Sequence, residues 1–206
     1  MPSIKSSTRF VRVNSLALAF PARIRSDANR IAALLQPTLT ESQGIPVNVQ
    51  GEAVVIPYRI GQSFDERLFR ELNHTQALMY ACMLSRSHDG TVRERQIERL
   101  VRTNEPWAAP FIAQLSGEYV VEILDTIERN LGFIDREIYG DFFSRNPAYL
   151  DWTEQRMVSY WNCNYRWLRK NEDDYVGFRL FKLFRDWQFS YSGIDTKSPL
   201  GPARTV

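Results

Sequence analysis

The chain has 206 residues, 44% hydrophobic and 24% charged. This is an ordinary balance for one globular domain, which can bury roughly 70% of its unfolded surface without a metal or disulfide. A net charge of +2 argues no nucleic-acid partner by itself, and no apolar run approaches about 18 residues, so no membrane span is expected. Neither Cys82 nor Cys163 has a CxxC neighbour, which excludes zinc-ribbon and thioredoxin-type sites. Two buried free thiols in a reducing, cytoplasmic compartment are predicted instead.

The basic residues are 22 Arg and 4 Lys. Arg suits bidentate and stacked contacts, although a GC-rich coding sequence yields the same bias. The first 26 residues carry Lys5, Arg9, Arg12, Arg23 and Arg25 and no acid. Leu16 to Phe20 is too short for a secretory apolar region, so this segment is read as mature structure.

Two short stretches look alike: Phe20-Pro21-Ala22-Arg23-Ile24 and Ile56-Pro57-Tyr58-Arg59-Ile60. Each follows an apolar run, Leu16 to Ala19 or Val54-Val55, that reads as a strand ending at proline or lying at a sheet edge. Val47 to Val49 and Ala53 to Ile56 flank Gln50-Gly51-Glu52, which predicts a hairpin with Gly51 at the turn. Ser26 is expected to cap a short helix with Ile31, Leu34 and Leu35 inward and Pro37 as its stop, followed by a loop over residues 38–46.

From residue 63 the period turns helical. Ser63-x-x-Glu66 and Thr91-x-x-Glu94 read as capping boxes, and Thr75 as the cap of a helix broken at His88-Asp89-Gly90. Pro106 and Pro110 open the longest segment, which reaches about Leu131 as one helix or as the pair 109–115 and 117–131. Asp135 and Asn146-Pro147 start further helices. The second runs through Trp152, Met157, Trp161, Cys163 and Leu168. Residues 175–187 form the last helix.

His88-Asp89-Gly90-Thr91-Val92-Arg93-Glu94 resembles the inter-helix turn of a HEAT-type helical repeat over residues 75–102. The resemblance implies a structural turn in which Asp89 caps the second helix, Val92 packs inward and Arg93 follows it. The stretch Thr91 to Ile123 also resembles a group of bacterial proteins of uncharacterised function, which implies no activity.

Candidate chemistry is sparse. His88 beside Asp89 can be an oriented base, but a histidine at a helix end more often meets the last carbonyls. Glu118, Glu122 and Asp125 fall at i, i+4 and i+7. Three stacked carboxylates can hold a metal, yet the Glu-x-x-His of di-metal bundles is absent. They are expected to face solvent or to pair with arginines of a neighbouring helix, while Phe111, Leu115, Tyr119, Ile123 and Ile127 supply the apolar face. Arg93, Arg95, Arg99 and Arg102 read as a solvated helix face. Trp161, Tyr165, Arg166, Trp167, Arg169 and Lys170 mix rings with cations and form the candidate interaction surface. Rings stack on bases and cations neutralise phosphates. The competing reading makes Trp161 and Leu168 core and leaves the cations at a helix end.

The expected fold is mainly α: HEAT-like hairpins or an irregular helical bundle with a small N-terminal β element. Residues 1–62 hold that element packed on the rest, 63–187 the helical domain, and 188–206 a loose tail. The expected function is protein interaction or scaffolding, with another protein as partner. The alternatives are RNA or DNA binding and an enzyme without a local signature. No cofactor, metal or catalytic residue is called for.

Overall fold

Gln50 and Gly51 turn the chain back on itself with φ of 52° and 91°, the left-handed pair that a two-residue hairpin loop requires. In the computed structural model, which describes residues 11–13, 15–35, 42–61 and 65–195, they join β2 (Ser42–Val49) to β3 (Glu52–Pro57). The register runs from Val49 opposite Glu52 to Gly44 opposite Pro57. A short β1 (Val11–Val13) pairs antiparallel with residues 42–44 on the other side, giving the order β1-β2-β3. The expected loop over residues 38–46 is therefore strand from Ser42 onward, and residues 36–41, Pro37 included, lie outside the described residues.

Pro46 is tolerated inside β2 for a geometric reason. Tyr58 N donates to Gln43 O at 2.8 Å, so alternate residues of β2 turn their backbone groups toward β3. Gly44, Pro46 and Asn48 turn theirs to the opposite side, the side on which Gly44 pairs with Val11. The missing N–H of Pro46 therefore costs no bond to β3. Asn48 finds a substitute strand in one side chain: Asn146 Oδ1 accepts from Asn48 N, and Asn146 Nδ2 donates to Asn48 O, both at 2.7 Å. Asn146 also precedes Pro147 at a helix start, as expected, but its side chain caps no helical N–H.

The two Pro-x-Arg-Ile stretches do not share a structure. Pro57 ends the edge strand β3, but Leu16–Ala19 is a 3-10 turn opened by Ser15, whose Oγ accepts from Ala17 N. Leu16, Ala17, Ala19 and Phe20 are buried while Leu18 is exposed, and that spacing is not the period of two that a half-buried strand needs.

The rest of the chain is mainly helix: α1 (Arg25–Leu35), α2 (His74–Leu84), α3 (Gly90–Leu100), α4 (Ala109–Leu115), α5 (Val121–Arg129), α6 (Arg136–Arg145), α7 (Pro147–Tyr160) and α8 (Val176–Asp195). The helix starts shift by one or two residues from expectation. Arg25 already opens α1, so Ser26 lies inside its first turn, and Ala28 rather than Leu34 completes the buried side. Asn73 and Gln76 form the capping box of α2, leaving Thr75 within the helix. Asp89, not Thr91, caps α3 by accepting from Thr91 N at 2.9 Å. Residues Glu66–Arg70 form a 3-10 turn capped by Asp65, and the expected cap Ser63 lies outside the described residues.

Helix α2 is apolar nearly all round, and Leu78 through Leu84 are buried without a break. A helix of that kind belongs inside a core. Around it one continuous cluster joins the 3-10 turn, the sheet and the helices. Phe20 meets Trp107 edge-on at 5.5 Å and stacks on Phe111 at 5.7 Å. Farther along, Phe143 packs on Phe184 with centroids 5.0 Å apart.

The last helix outruns the expected stop near residue 187. Gly140 lets α6 approach α8 closely, since a Cβ there would lie 3.0 Å from Trp187 O and 3.1 Å from Tyr191 Cβ. Gln188 Nε2 donates to Phe143 O, and Ser190 and Ser192 turn their hydroxyls back onto their own helix. Packing thus carries the polar stretch to Asp195. Residues 196–206, where the loose tail was expected, lie outside the described residues.

Candidate functional site

Of the two readings of residues 109–131, the helix pair forms, with α4 ending at Leu115 and α5 starting at Val121, and the connection over residues 116–120 builds an unusual group. Ser116 turns its hydroxyl to Ile112 O. Gly117 presses onto α7, where a Cβ would meet Thr153 Cγ2 at 2.7 Å and Thr153 O at 2.8 Å. This turn carries Glu118 into the interior, away from Glu122, which is exposed, and Asp125, which is half-buried. The expected face of three carboxylates does not form. Among the described residues, no group of three or more His, Cys, Asp or Glu side chains could hold a metal ion. Tyr119, expected on the apolar face, is 45% exposed.

Three guanidinium groups converge on Glu118. Arg59 Nη2 donates to both carboxylate oxygens at 2.6 Å. Arg86 Nη2 lies 3.4 Å from Oε1 and Arg93 Nη2 3.6 Å from Oε2. Glu118, Arg86 and Arg93 are each exposed by 1% or less. Arg93 also donates through Nη1 to Ser87 O and His88 O, tying down the carbonyls that end the α2–α3 turn. Arg86 donates to Ser85 O. Arg86 Nη1 and Arg93 Nε are buried donors with no acceptor among the described residues.

Electrostatics make this cluster costly to disturb. Burial alone would raise the Glu118 carboxyl, but Arg86, Arg59 and Arg93 outweigh burial and hold it below its ordinary value. Burial, and then repulsion from Arg59, push the Arg86 guanidinium down to about 9 against the pull of Glu118. The expectation that Glu118 faces solvent or pairs with neighbouring arginines resolves to pairing, with the pair buried. Arg93, expected on a solvated face, is buried instead.

Beside the cluster stands a group of rings. Arg156 lies 5.1 Å from the Tyr58 ring, 5.0 Å from Trp152 and 5.3 Å from Tyr160. It donates to the Tyr58 hydroxyl at 2.7 Å and the Tyr160 hydroxyl at 3.0 Å. Arg59 lies 5.3 Å from the same Tyr58 ring, and Tyr119 packs against Tyr160 at 5.6 Å. Sequence reading missed Arg59, Arg86 and Arg156. The available signals were Arg59 inside the Pro-x-Arg-Ile stretch and Arg86 in a polar run directly after the apolar helix α2.

The six residues singled out as an interaction surface do lie together, in one turn after α7. Residues Trp161–Tyr165 form a π-helical turn, closed by Arg166 N donating to Trp161 O at 2.9 Å. Trp161 is buried edge-on against Phe178 at 5.1 Å, and its Nε1 donates to Arg169 O. Arg166 covers the Trp161 ring at 5.5 Å. Tyr165 stacks on Tyr175 and donates from its hydroxyl to Tyr119 O at 2.7 Å. Trp167 is 75% exposed and Leu168 64%, with Arg166, Arg169 and Lys170 exposed around them.

Leu168 was expected in the core with Trp161, seven positions earlier. The extra residue of a π turn rotates all later side chains by about 100°, and the helix ends there, so Leu168 leaves the core face. Cys163, expected to be shielded, is exposed; only two positions after Trp161, it points across the helix axis. Cys82 is buried, and burial pushes its thiol well above the ordinary value.

The structural-turn residues sit in the α2–α3 connection: Asp89 caps α3, and Val92 and Arg93 are buried. His88 is exposed, and the Asp89 carboxylate is turned to Thr91 N rather than to the imidazole. Among the described residues no helix is long and apolar enough to cross a membrane. Comparison of the chain with family models, with curated proteins and with solved structures gives no match.

Proposed function

We propose that the chain is a helical protein-interaction module that inserts Trp167 and Leu168 into an apolar pocket rimmed by acidic groups on a partner protein. The observation that carries this reading is the exposure of two adjacent large apolar side chains on an ordered turn. Trp167 Nε1 donates to Asn164 O, Leu168 N and Arg169 N both donate to Tyr165 O, and Arg169 Nη1 donates to Asp174 O. A turn held this way loses little conformational entropy on docking. Tryptophan is among the residues most enriched at interface hot spots, and exposed cations around it suit an acidic rim. The α2–α3 pair, with Asp89 as cap and Val92 and Arg93 inward, supports reading the scaffold as a HEAT-like helical hairpin.

Nucleic acid suits the turn less well. Glu172, Asp173 and Asp174 follow directly and are exposed, so a phosphate backbone tracking the cations would meet three carboxylates. The test places a photo-crosslinking residue at position 163, exposed beside the turn, in the native host, then purifies the captured protein and titrates it. Trp167→Ala is expected to cost about 2 kcal/mol or more of binding, as for a hot-spot ring, with the unfolding midpoint unchanged. An unchanged affinity contradicts the proposal. So does salt-steep binding of single-stranded RNA that is lost when Arg166, Arg169 and Lys170 are changed together to Gln.

A further inference from the structure

The surface around Trp167 carries both signs of charge in a fixed order. Arg166, Arg169 and Lys170 flank Trp167 and Leu168, and Glu172, Asp173 and Asp174 follow, all exposed. The two groups share one surface, since Arg169 Nη1 donates to Asp174 O across the turn. They do not pair off within it. Among the described residues, the side chains of Lys170, Glu172 and Asp173 form no hydrogen bond or ion pair. The side-chain hydrogen bonds of Arg166, Arg169 and Asp174 go to uncharged groups: Asn162 Oδ1, Asp174 O and Asn171 Nδ2. Three cations and three carboxylates thus stand ready for outside partners, beside two exposed apolar side chains.

A surface acidic all round would attract the cations of this turn and be repelled by its carboxylates, as a phosphate backbone is. The complement must be acidic opposite the cations, basic opposite the acids and apolar opposite Trp167 and Leu168. The chain itself carries such a surface. When two copies of one patch meet about a twofold axis, the order along the patch reverses, and each flank lies opposite the flank of the other sign. We propose that the partner of the Trp167 turn is a second copy of this chain, docked turn against turn about a twofold axis. The inference rests on reading the turn as a docking anchor. Trp167 and Leu168 of each copy bury against those of the other, and Glu172, Asp173 and Asp174 of each supply the acidic rim for the other's cations. One turn from each side buries less than the roughly 1,600 Å² of a standard interface. The dimer is accordingly weak and reversible, with a Kd on the order of 10–100 µM.

Analytical ultracentrifugation of the full chain between about 5 and 200 µM tests this. Wild type is expected to show a reversible monomer–dimer equilibrium that weakens between about 50 and 500 mM salt. Trp167→Ala enters the dimer twice and should weaken it at least about 100-fold. If that variant does not fold, Leu168→Ser carries the same comparison. Two double variants test the order of charges. Arg166→Glu with Lys170→Glu turns the basic flank net acidic, and Glu172→Lys with Asp173→Lys turns the acidic flank net basic. Each alone then meets its own sign, and should associate at least about tenfold more weakly than wild type. Mixed in equal amounts, the two should dimerise with each other nearly as well as wild type does. A wild type that stays monomeric at about 200 µM overturns the inference. So does dimerisation that Trp167→Ala leaves unchanged, or a mixture that associates no better than its components. The reading of the turn as an anchor fails or stands separately. A different protein captured from position 163, and bound less tightly by Trp167→Ala, would uphold the anchor and exclude the second copy as its partner.

Discussion

Glu118→Gln is expected to destabilise the fold by about 3–5 kcal/mol, the range for removing one partner of a buried ion pair. The substitution keeps the shape of the side chain but removes the charge that Arg59, Arg86 and Arg93 share. Arg86 and Arg93 cannot reach water without opening the α2–α3 turn, because Arg93 is bonded to its carbonyls. The sign of the pH dependence comes from the same contacts. The folded carboxyl is held below its ordinary value of 4.5. Its contribution is therefore fully present above that value and is lost as pH falls through the lowered one. Urea unfolding should show a large gap between wild type and variant at neutral pH and a narrowing gap below about pH 4.5. A constant gap of under about 1 kcal/mol would mean that the pairing is no stronger than a surface salt bridge.

Trp161→Ala is the second large effect, expected at roughly 3–5 kcal/mol as for a buried ring. Three things go at once: the edge-on contact with Phe178, the hydrogen bond to Arg169 O, and the surface under Arg166. Changing Arg166, Arg169 and Lys170 together to Gln should by contrast cost little, since exposed charges each contribute below about 1 kcal/mol. The two variants separate fold from surface: thermal unfolding should fall sharply in the first and barely move in the second. A marginal loss in Trp161→Ala would mean that the turn is not anchored by its indole.

Elements with strong local chemistry were legible in the sequence. Gln50-Gly51 between β-branched runs located the hairpin, and Asp135 marked a helix start through its cap, whereas Asp89 entered only through the HEAT-type resemblance. Elements settled by tertiary contacts were not. Leu16–Ala19 is apolar enough for a strand, but Ser15 caps it into a 3-10 turn. Glu118 sits at a helical spacing from Glu122 and Asp125, and the sequence left one helix or two open there; the close fit of Gly117 against Thr153 goes with the break. A buried carboxylate among three arginines has no periodicity to betray it, because its partners come from residues 59, 86 and 93. The Trp161–Lys170 surface was visible as composition. Its division into a buried Trp161 and an exposed Trp167 depends on one π turn, which shifts the facing of every later residue in the turn.

The docking proposal stands on that turn being ordered in the free protein, and amide hydrogen exchange tests this most directly. The amides of Arg166, Leu168 and Arg169 donate to Trp161 O and Tyr165 O at 2.8 to 2.9 Å. They are expected to exchange at least about 100-fold more slowly than in an unstructured peptide. Exchange of all three at peptide rates, while the amides of α8 stay protected, would show a mobile loop in place of a preformed anchor and would contradict the account.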